Sequence, residues 1–325
     1  MDYISLKQTP EELTQWLLKK GWLSSKEGPV LAIDRAGEGN MNVVLRAKTA
    51  DRTFILKQSR PYVEKYQQIP APLERVAVEH RFYQEIHGSA DQKNFPKVLA
   101  YDPQDYLLMM EDLGICEDMS YCYKGRVISE SQVMELVQIA KLVHATPVKG
   151  DFPKNLELRK LNHSHIFELP FMEDNGFSLD EVKQGLQALS EPYKKDKYLK
   201  GKMQELGERY LGAGKVLVHG DYYPGSWMSY DDQVYVIDPE FCFVGFAEFD
   251  LGVMAAHLIM ATKELGHIDA VIENYGAQLE YKLTKQIAGT EILRRLIGLA
   301  QLPLSLSLDE KAYLLKEARN LVLAP

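Results

Sequence analysis

Three carboxylates gather in one short stretch, LVHGDYYPGSWMSYDDQVYVIDPEF (217–241). Asp221 follows the apolar run LVH, and Asp238 and Glu240 follow the run VYVI. Phosphoryl transfer needs such a set, with one carboxylate to accept or orient the acceptor's hydroxyl proton and others to hold magnesium on the phosphates. Magnesium prefers hard oxygen ligands and uses few protein carboxylates. Pro239 disfavours a helical conformation at Asp238. If the chain stays extended, residues two apart point the same way, and Asp238 with Glu240 would converge on one ion. The competing reading is a hairpin whose acidic ends are simply solvated.

A second constellation lies upstream. Lys57 closes the run TFILK, and Glu79 lies on or beside the core-facing stripe of LERVAVEHRFYQEIHG (73–88). A charge there needs a partner, and Lys57 is a reasonable one. A strand lysine held by a helix glutamate presents an ammonium to nucleotide phosphates in protein-kinase-like folds. Taken singly, a solvated strand-end lysine and a boundary glutamate remain open. Just before lies GEGNMN (37–42), where Gly37 and Gly39 would let backbone N–H groups approach phosphates; an ordinary tight turn is the alternative. A Walker A loop is absent, since GERYLGAGKV (207–216) misplaces its glycines and has Val216 where a hydroxyl should hold magnesium.

Short runs rich in β-branched and aliphatic residues must position these groups. VVLRA (43–47), TFILK (53–57) and YLLMM (106–110) read as strands, the first two joined through KTADR as a hairpin. Positions 76, 80, 83 and 86 follow helical spacing between Pro72 and Gly88. After about residue 112 the chain reads as mainly helical, apart from the opening stretch; Ser129 with Gln132 forms a capping box for a helix through His144. There is no repeat.

The 325 residues suffice for one large domain or two ordinary ones. Hydrophobic and charged contents of 46% and 26% are those of a soluble globular protein. The net charge of −8 argues against a nucleic-acid partner. Cys116, Cys122 and Cys242 lack metal spacing and read as thiols of a reducing compartment. The N-terminus lacks the pattern of a signal peptide. The apolar stretch LGVMAAHLIMA (251–261) is about half a membrane span, so no membrane association and a cytoplasmic location are expected.

The pieces HGDYYPGS (219–226) and IDPEFCFVG (237–245) resemble the signature of the aminoglycoside phosphotransferase and choline kinase superfamily. GEGNMN, ILKQSRPYV (55–63), LERVAVEH (73–80), MEDL (110–113), FDLG (249–252) and EILRRLIGLA (291–300) follow in order, and the pattern is most similar to methylthioribose kinases. The resemblance implies an α+β, bilobal, protein-kinase-like fold. A small sheet-containing N-lobe (1–112) would bind nucleotide; a larger, mainly helical C-lobe (113–325) would carry catalysis, metal and acceptor, with the site between them. It implies ATP and Mg2+ as cofactors and a small-molecule acceptor as partner, with a homodimer among the open assemblies. Asp221 would be the catalytic carboxylate and Asp238 and Glu240 magnesium ligands, with Ser226 where many members have a metal-binding asparagine. Lys57, Glu79, Gly37, Gly39, Asn40 and Asn42 would attend the nucleotide phosphates, Met110, Glu111 and Leu113 would form the adenine hinge, and Asp250 would brace the catalytic loop.

Tyr222, Tyr223 and Trp227 are candidates to line the acceptor, as are Arg294 and Arg295. Adjacent helical residues point about 100° apart, so only one of these two arginines is expected to face the site. Tyr222, Tyr223 and Pro224 depart from the methylthioribose kinase pattern and keep choline, an aminoglycoside or another sugar open as acceptor. A nucleotide-binding pseudokinase is disfavoured because Lys57, Glu79, Asp221, Asp238 and Glu240 are all present. His163 and His165 could suggest a metal pair, but no further ligand stands at the right spacing.

Overall fold

The computed structural model describes residues 3–37, 41–88 and 93–324. Two units emerge: Met1–Cys116 together with Pro239–Phe241, and Glu117–Asp238 together with Cys242–Pro325.

In the first unit, α1 (Pro10–Lys19) starts at Thr9, whose side chain and Glu12 form a capping box. Then come β1 (Ala32–Arg35), β2 (Val43–Lys48), β3 (Thr53–Gln58), β4 (Tyr62–Val63), β5 (Tyr66–Pro70), α2 (Arg75–His87), β6 (Val98–Asp102) and β7 (Leu107–Glu111). Five strands form one antiparallel sheet in the order β1-β2-β3-β7-β6, while β4 and β5 make a separate ribbon. Side chains alternate along each strand. Leu45, Ala47, Phe54, Leu56, Leu107 and Met109 therefore share one face and pack with Ile4, Leu13 and Leu17. Burying each such aliphatic side chain contributes roughly 1.5–3 kcal/mol. Lys57, paired in register with Val44 and Leu108, is out of phase with that set and reaches Glu79 of α2. On α2, Val76, Tyr83 and Ile86 are buried as their spacing predicts, and His80 stacks on Tyr101 with ring centroids 4.1 Å apart.

The second unit is mainly helical. It comprises β8 (Glu117–Asp118), α3 (Glu130–Ala145), α4 (Leu156–His163), α5 (Leu186–Lys194), α6 (Lys197–Leu211), β9 (Val216–Val218), β10 (Trp227–Tyr230), β11 (Gln233–Val236), β12 (Phe243–Gly245), α7 (Ala247–Thr262), α8 (His267–Tyr275), α9 (Tyr281–Ile297) and α10 (Leu308–Leu323). Ser129 and Gln132 cap α3 reciprocally, as the sequence indicates. The apolar stretch 251–261 lies within α7, which is buried nearly all round and packs on α9. No helix among the described residues is long and apolar enough to cross a membrane.

In the 217–241 stretch the strand pairing rules out the competing hairpin reading, and the backbone departs from the extended chain expected. Its strand-like runs are not partners: β9 pairs with β12, while β11 pairs with β10, which pairs in turn with β8. The segment WMSY is thus a central strand. Nor does the chain stay extended past β11. Asp238 takes a left-handed φ of 62° and Pro239–Phe241 forms a 3-10 turn. Aspartate is one of the few side chains that visits this region routinely, so the rule that residues two apart share a side does not apply to Asp238 and Glu240.

Candidate active site

Helix α2 positions two ionic contacts of the first unit. Glu79 Oε2 lies 2.6 Å from Lys57 Nζ, with both side chains buried. One turn earlier, Arg75 is fully buried. Its Nε donates to Asn42 Oδ1 at 2.8 Å and lies 3.4 Å from Glu240 Oε2. Its Nη1 donates to the carbonyls of Arg60 and Pro72, and its Nη2 to that of Met41. Asn42 Nδ2 donates to the same Glu240 oxygen at 2.8 Å. Two residues expected in different roles, Asn42 beside the phosphates and Glu240 on the metal, are hydrogen-bonded to each other, with Arg75 locking both. Gly37 has a φ of 76°, and Gly39 and Asn40 lie outside the described residues. At the end of β7, Met110 is buried and Glu111 pairs with Lys97: Glu111 N donates to Lys97 O, and Lys97 N to Glu111 Oε2. Beyond it, the Leu113 carbonyl accepts from the Cys116 thiol.

In the second unit, Asp221 leaves β9 through a turn fixed from behind. Asp250, fully buried near the start of α7, accepts from His219 N at 2.7 Å and Gly220 N at 2.9 Å. Gly220 has a φ of 83°, where a side chain would be strained. Asp250 also contacts His144 Nε2 at 3.1 Å. The His219 ring completes the loop. Its Nε2 faces the Ile237 carbonyl at 2.9 Å and must donate there, which leaves Nδ1 to accept from Asp221 N at 3.3 Å. One neutral imidazole thereby joins the backbone of Asp221 to the residue before Asp238. Ser226 is buried, and its carbonyl accepts from Ile237 N.

Both arginines of α9 turn back onto one carboxylate. Glu291 accepts from Arg294 Nε at Oε2 and from Arg295 Nε at Oε1, the latter at 2.8 Å. Residues three and four apart share a helix face, which is how neighbours splayed by 100° meet one partner. Arg295 Nη2 lies 3.9 Å from Asp221 Oδ1, and its guanidinium stands 5.1 Å from the Tyr223 ring. His257 Nε2 bonds Glu291 Oε1 at 2.9 Å, while its Nδ1 meets the Tyr123 hydroxyl at 2.5 Å. Burial drives His257 down to about 4 despite the Glu291 contact, so its ring is neutral near pH 7. Burial alone would raise Glu291, but Arg294 and Arg295 hold it well below the usual carboxylate range.

The remaining acceptor candidates divide. Tyr222 and Trp227 are fully buried and packed edge to face, with the Tyr222 hydroxyl donating to the Leu136 carbonyl. Tyr223 keeps partial exposure between Arg295 and His257.

The sequence model of the phosphotransferase enzyme family matches residues 33–285. This chain belongs to that family. It is a small-molecule kinase with a protein-kinase-like α+β fold. The methylthioribose kinase of Geobacillus sp. (strain WCH70) is 26% identical over 91% of this chain and 87% of its own length. Choline kinase LicA from Streptococcus pneumoniae superposes with a TM-score of 0.53 at 15% identity, covering 96% of this chain and 99% of LicA. A second LicA structure, in complex with AMP, also has a TM-score of 0.53 at 15% identity, over 95% of this chain and 97% of LicA. At that identity the likeness to LicA concerns the fold.

Asp238 and Glu240 are the carboxylates that would hold a divalent cation, judged by the chemistry of their donors alone. No cluster of three or more His, Cys, Asp or Glu side chains surrounds a common point among the described residues. Magnesium, however, needs only one or two protein carboxylates, with phosphate and water oxygens completing its shell. Asp238 and Glu240 are hard oxygen donors of that number. Glu240 Oε2 already accepts from Asn42, but a carboxylate offers about four lone-pair sites.

Arg75, His219 and Glu291 were absent from the sequence-based candidates. Arg75 carried a signal, since it stands four residues before Glu79 on the same face of α2, and a buried-face charge demands partners. Glu291 lay three and four residues before the flagged arginines, the spacing of helical ion pairs. His163 contacts Glu168 and packs on Phe167, as a structural histidine does.

Proposed function

We propose that this phosphotransferase transfers the γ-phosphoryl group of ATP to a hydroxyl of a small, uncharged sugar, with a methylthioribose-like compound as the leading acceptor. The observation that carries this reading is the approach of Arg295 to Asp221, with Arg294 buried on the same glutamate. Asp221 takes the acceptor's hydroxyl proton as the oxygen attacks the γ-phosphorus. The bond from that phosphorus to the β,γ-bridging oxygen breaks, and ADP leaves. Asp250 and His219 hold the Asp221 loop in place. Asp238 and Glu240 would hold magnesium, with Ser226 the weaker candidate, and the ion would neutralise charge on the phosphates. Lys57, oriented by Glu79, would supply an ammonium to those phosphates, and Gly37, Gly39, Asn40 and Asn42 would attend them as well. Met110, Glu111 and Leu113 would meet adenine, so that 1–112 serves the nucleotide and 113–325 the acceptor.

Charge favours a sugar over a cationic acceptor. A quaternary ammonium wants open aromatic faces, but Tyr222 and Trp227 are enclosed and Tyr223 is flanked by the Arg295 guanidinium. A cation beside Asp221 would also face Arg295. Guanidinium N–H groups instead suit hydroxyl oxygens. ATP dependence and free cysteines fit the cytoplasm.

Coupled ADP release tests the reading on 5-methylthioribose, choline, ethanolamine and an aminoglycoside. Turnover on the sugar and none on the cations is expected; turnover confined to a cation removes the acceptor. Asp221→Asn should lower kcat by roughly 10²–10⁴ with folding intact, and full activity in that variant would sink the whole assignment.

A further inference from the structure

We infer that Glu291 is a positioning residue that keeps the Arg295 guanidinium from closing on Asp221. The inference rests on the reading of Asp221 as the proton acceptor. Arg295 has two carboxylates within reach. Its Nε is bonded to Glu291 at 2.8 Å, whereas Nη2 stops 3.9 Å from Asp221, well outside the 2.7–2.9 Å of a charge-assisted hydrogen bond. The guanidinium is a rigid plane. With Nε on Glu291 and Nη1 on the Ala300 carbonyl at 3.3 Å, the position of Nη2 is set.

Glu291 is itself immobilised. Arg294 holds Oε2 and His257 shares Oε1. The neutral His257 donates from Nε2 and accepts at Nδ1 from Tyr123, so each polar atom of that chain has one consistent role. Burial opposes the charge on Arg295, but Glu291 and then Asp221 raise its pKa, so it stays cationic. A tight Arg–carboxylate pair lowers the carboxylate's pKa by about 1–3 units and with it the basicity that proton acceptance needs. A competing carboxylate one turn back on α9 retains the cation near Asp221 and prevents that pairing.

Other groups face Asp221 as well. Tyr210 comes from α6, and His219 and Tyr223 from its own stretch of chain, with His257 of α7 behind Glu291. None of these is a carboxylate bonded to Arg295, so the leash falls to Glu291.

The test is the pH profile of ADP release in the full-length enzyme, with 5-methylthioribose as acceptor or with water if no sugar is used. Glu291→Gln should move the acid limb down by about one pH unit and lower the plateau about tenfold. The KM for ATP should stay within twofold of wild type, about 0.4 kcal/mol. Glu291→Asp keeps the charge but falls a methylene short of Arg295, so it should shift the limb the same way even if Glu291→Gln does not fold. Arg295→Gln should move the limb upward. Profiles of both Glu291 variants that coincide with wild type, or limbs that move upward, overturn the proposal. An active Asp221→Asn enzyme overturns the underlying reading instead, and the two failures are told apart by which variant shows them.

Discussion

Arg75 and Glu79 stand one turn apart on α2, and the first holds Glu240 while the second holds Lys57. A single helix thus orients the ammonium proposed for the phosphates and a carboxylate proposed for the metal. No rotation of α2 could move one without the other.

Arg75→Met should be among the most damaging substitutions in the first unit. It removes a buried cation that satisfies four backbone carbonyls, Tyr62 among them, and the Asn42 amide. Breaking one partner of a buried ionic network costs about 3–5 kcal/mol. Denaturant unfolding should show a loss of that size. A loss under about 1 kcal/mol would mean that Glu240 is held by other means.

Stability should fall with acid through His257. Its folded-state value of about 4 lies below the ordinary 6.5 of histidine. The unfolded chain therefore takes up a proton as pH drops through 6.5, while the folded chain resists until about 4. The contribution is present above pH 6.5 and lost progressively between those values, amounting to about 3 kcal/mol in all. Glu291, whose folded pKa is also depressed, adds a loss below the ordinary carboxylate range. Urea midpoints measured from pH 7.5 to 4.5 should decline, and His257→Gln should flatten the slope above pH 5.

Gly225→Ala should affect the acceptor and spare ATP. A Cβ there would lie 2.4 Å from the Tyr223 hydroxyl, so the ring must swing away. Tyr223 contacts the Arg295 guanidinium, and the displacement should raise the acceptor KM several-fold, about 1 kcal/mol. An unchanged acceptor KM would place Tyr223 outside the acceptor's contacts.

The residues legible in the sequence were those whose chemistry is declared by position. Lys57 and Asp221 end strand-like runs, and Glu79 sits on a helix stripe that should be apolar. What escaped depended on tertiary partners or on backbone state. Arg75 looked like an ordinary first-turn arginine because its partners lie up to 34 residues upstream and, in Glu240, far downstream. Asp238 was read as extended because Pro239 biases it that way, yet the turn at Pro239–Phe241 required a left-handed residue instead. The aromatic-rich 222–230 invited a substrate-stacking reading, but the partner strands that bury Trp227 are invisible to local pattern.

The segment Pro239–Phe241 belongs with residues 1–116 although 122 residues separate them in the chain. No single cut therefore yields a self-sufficient N-terminal piece. A fragment ending at Cys116 would retain Arg75 and Asn42 but leave behind the carboxylate they share. Complementation in trans, or a graft carrying Glu240, would be needed to restore it, and any dissection or circular permutation of this kinase must treat that three-residue turn as part of the N-terminal half.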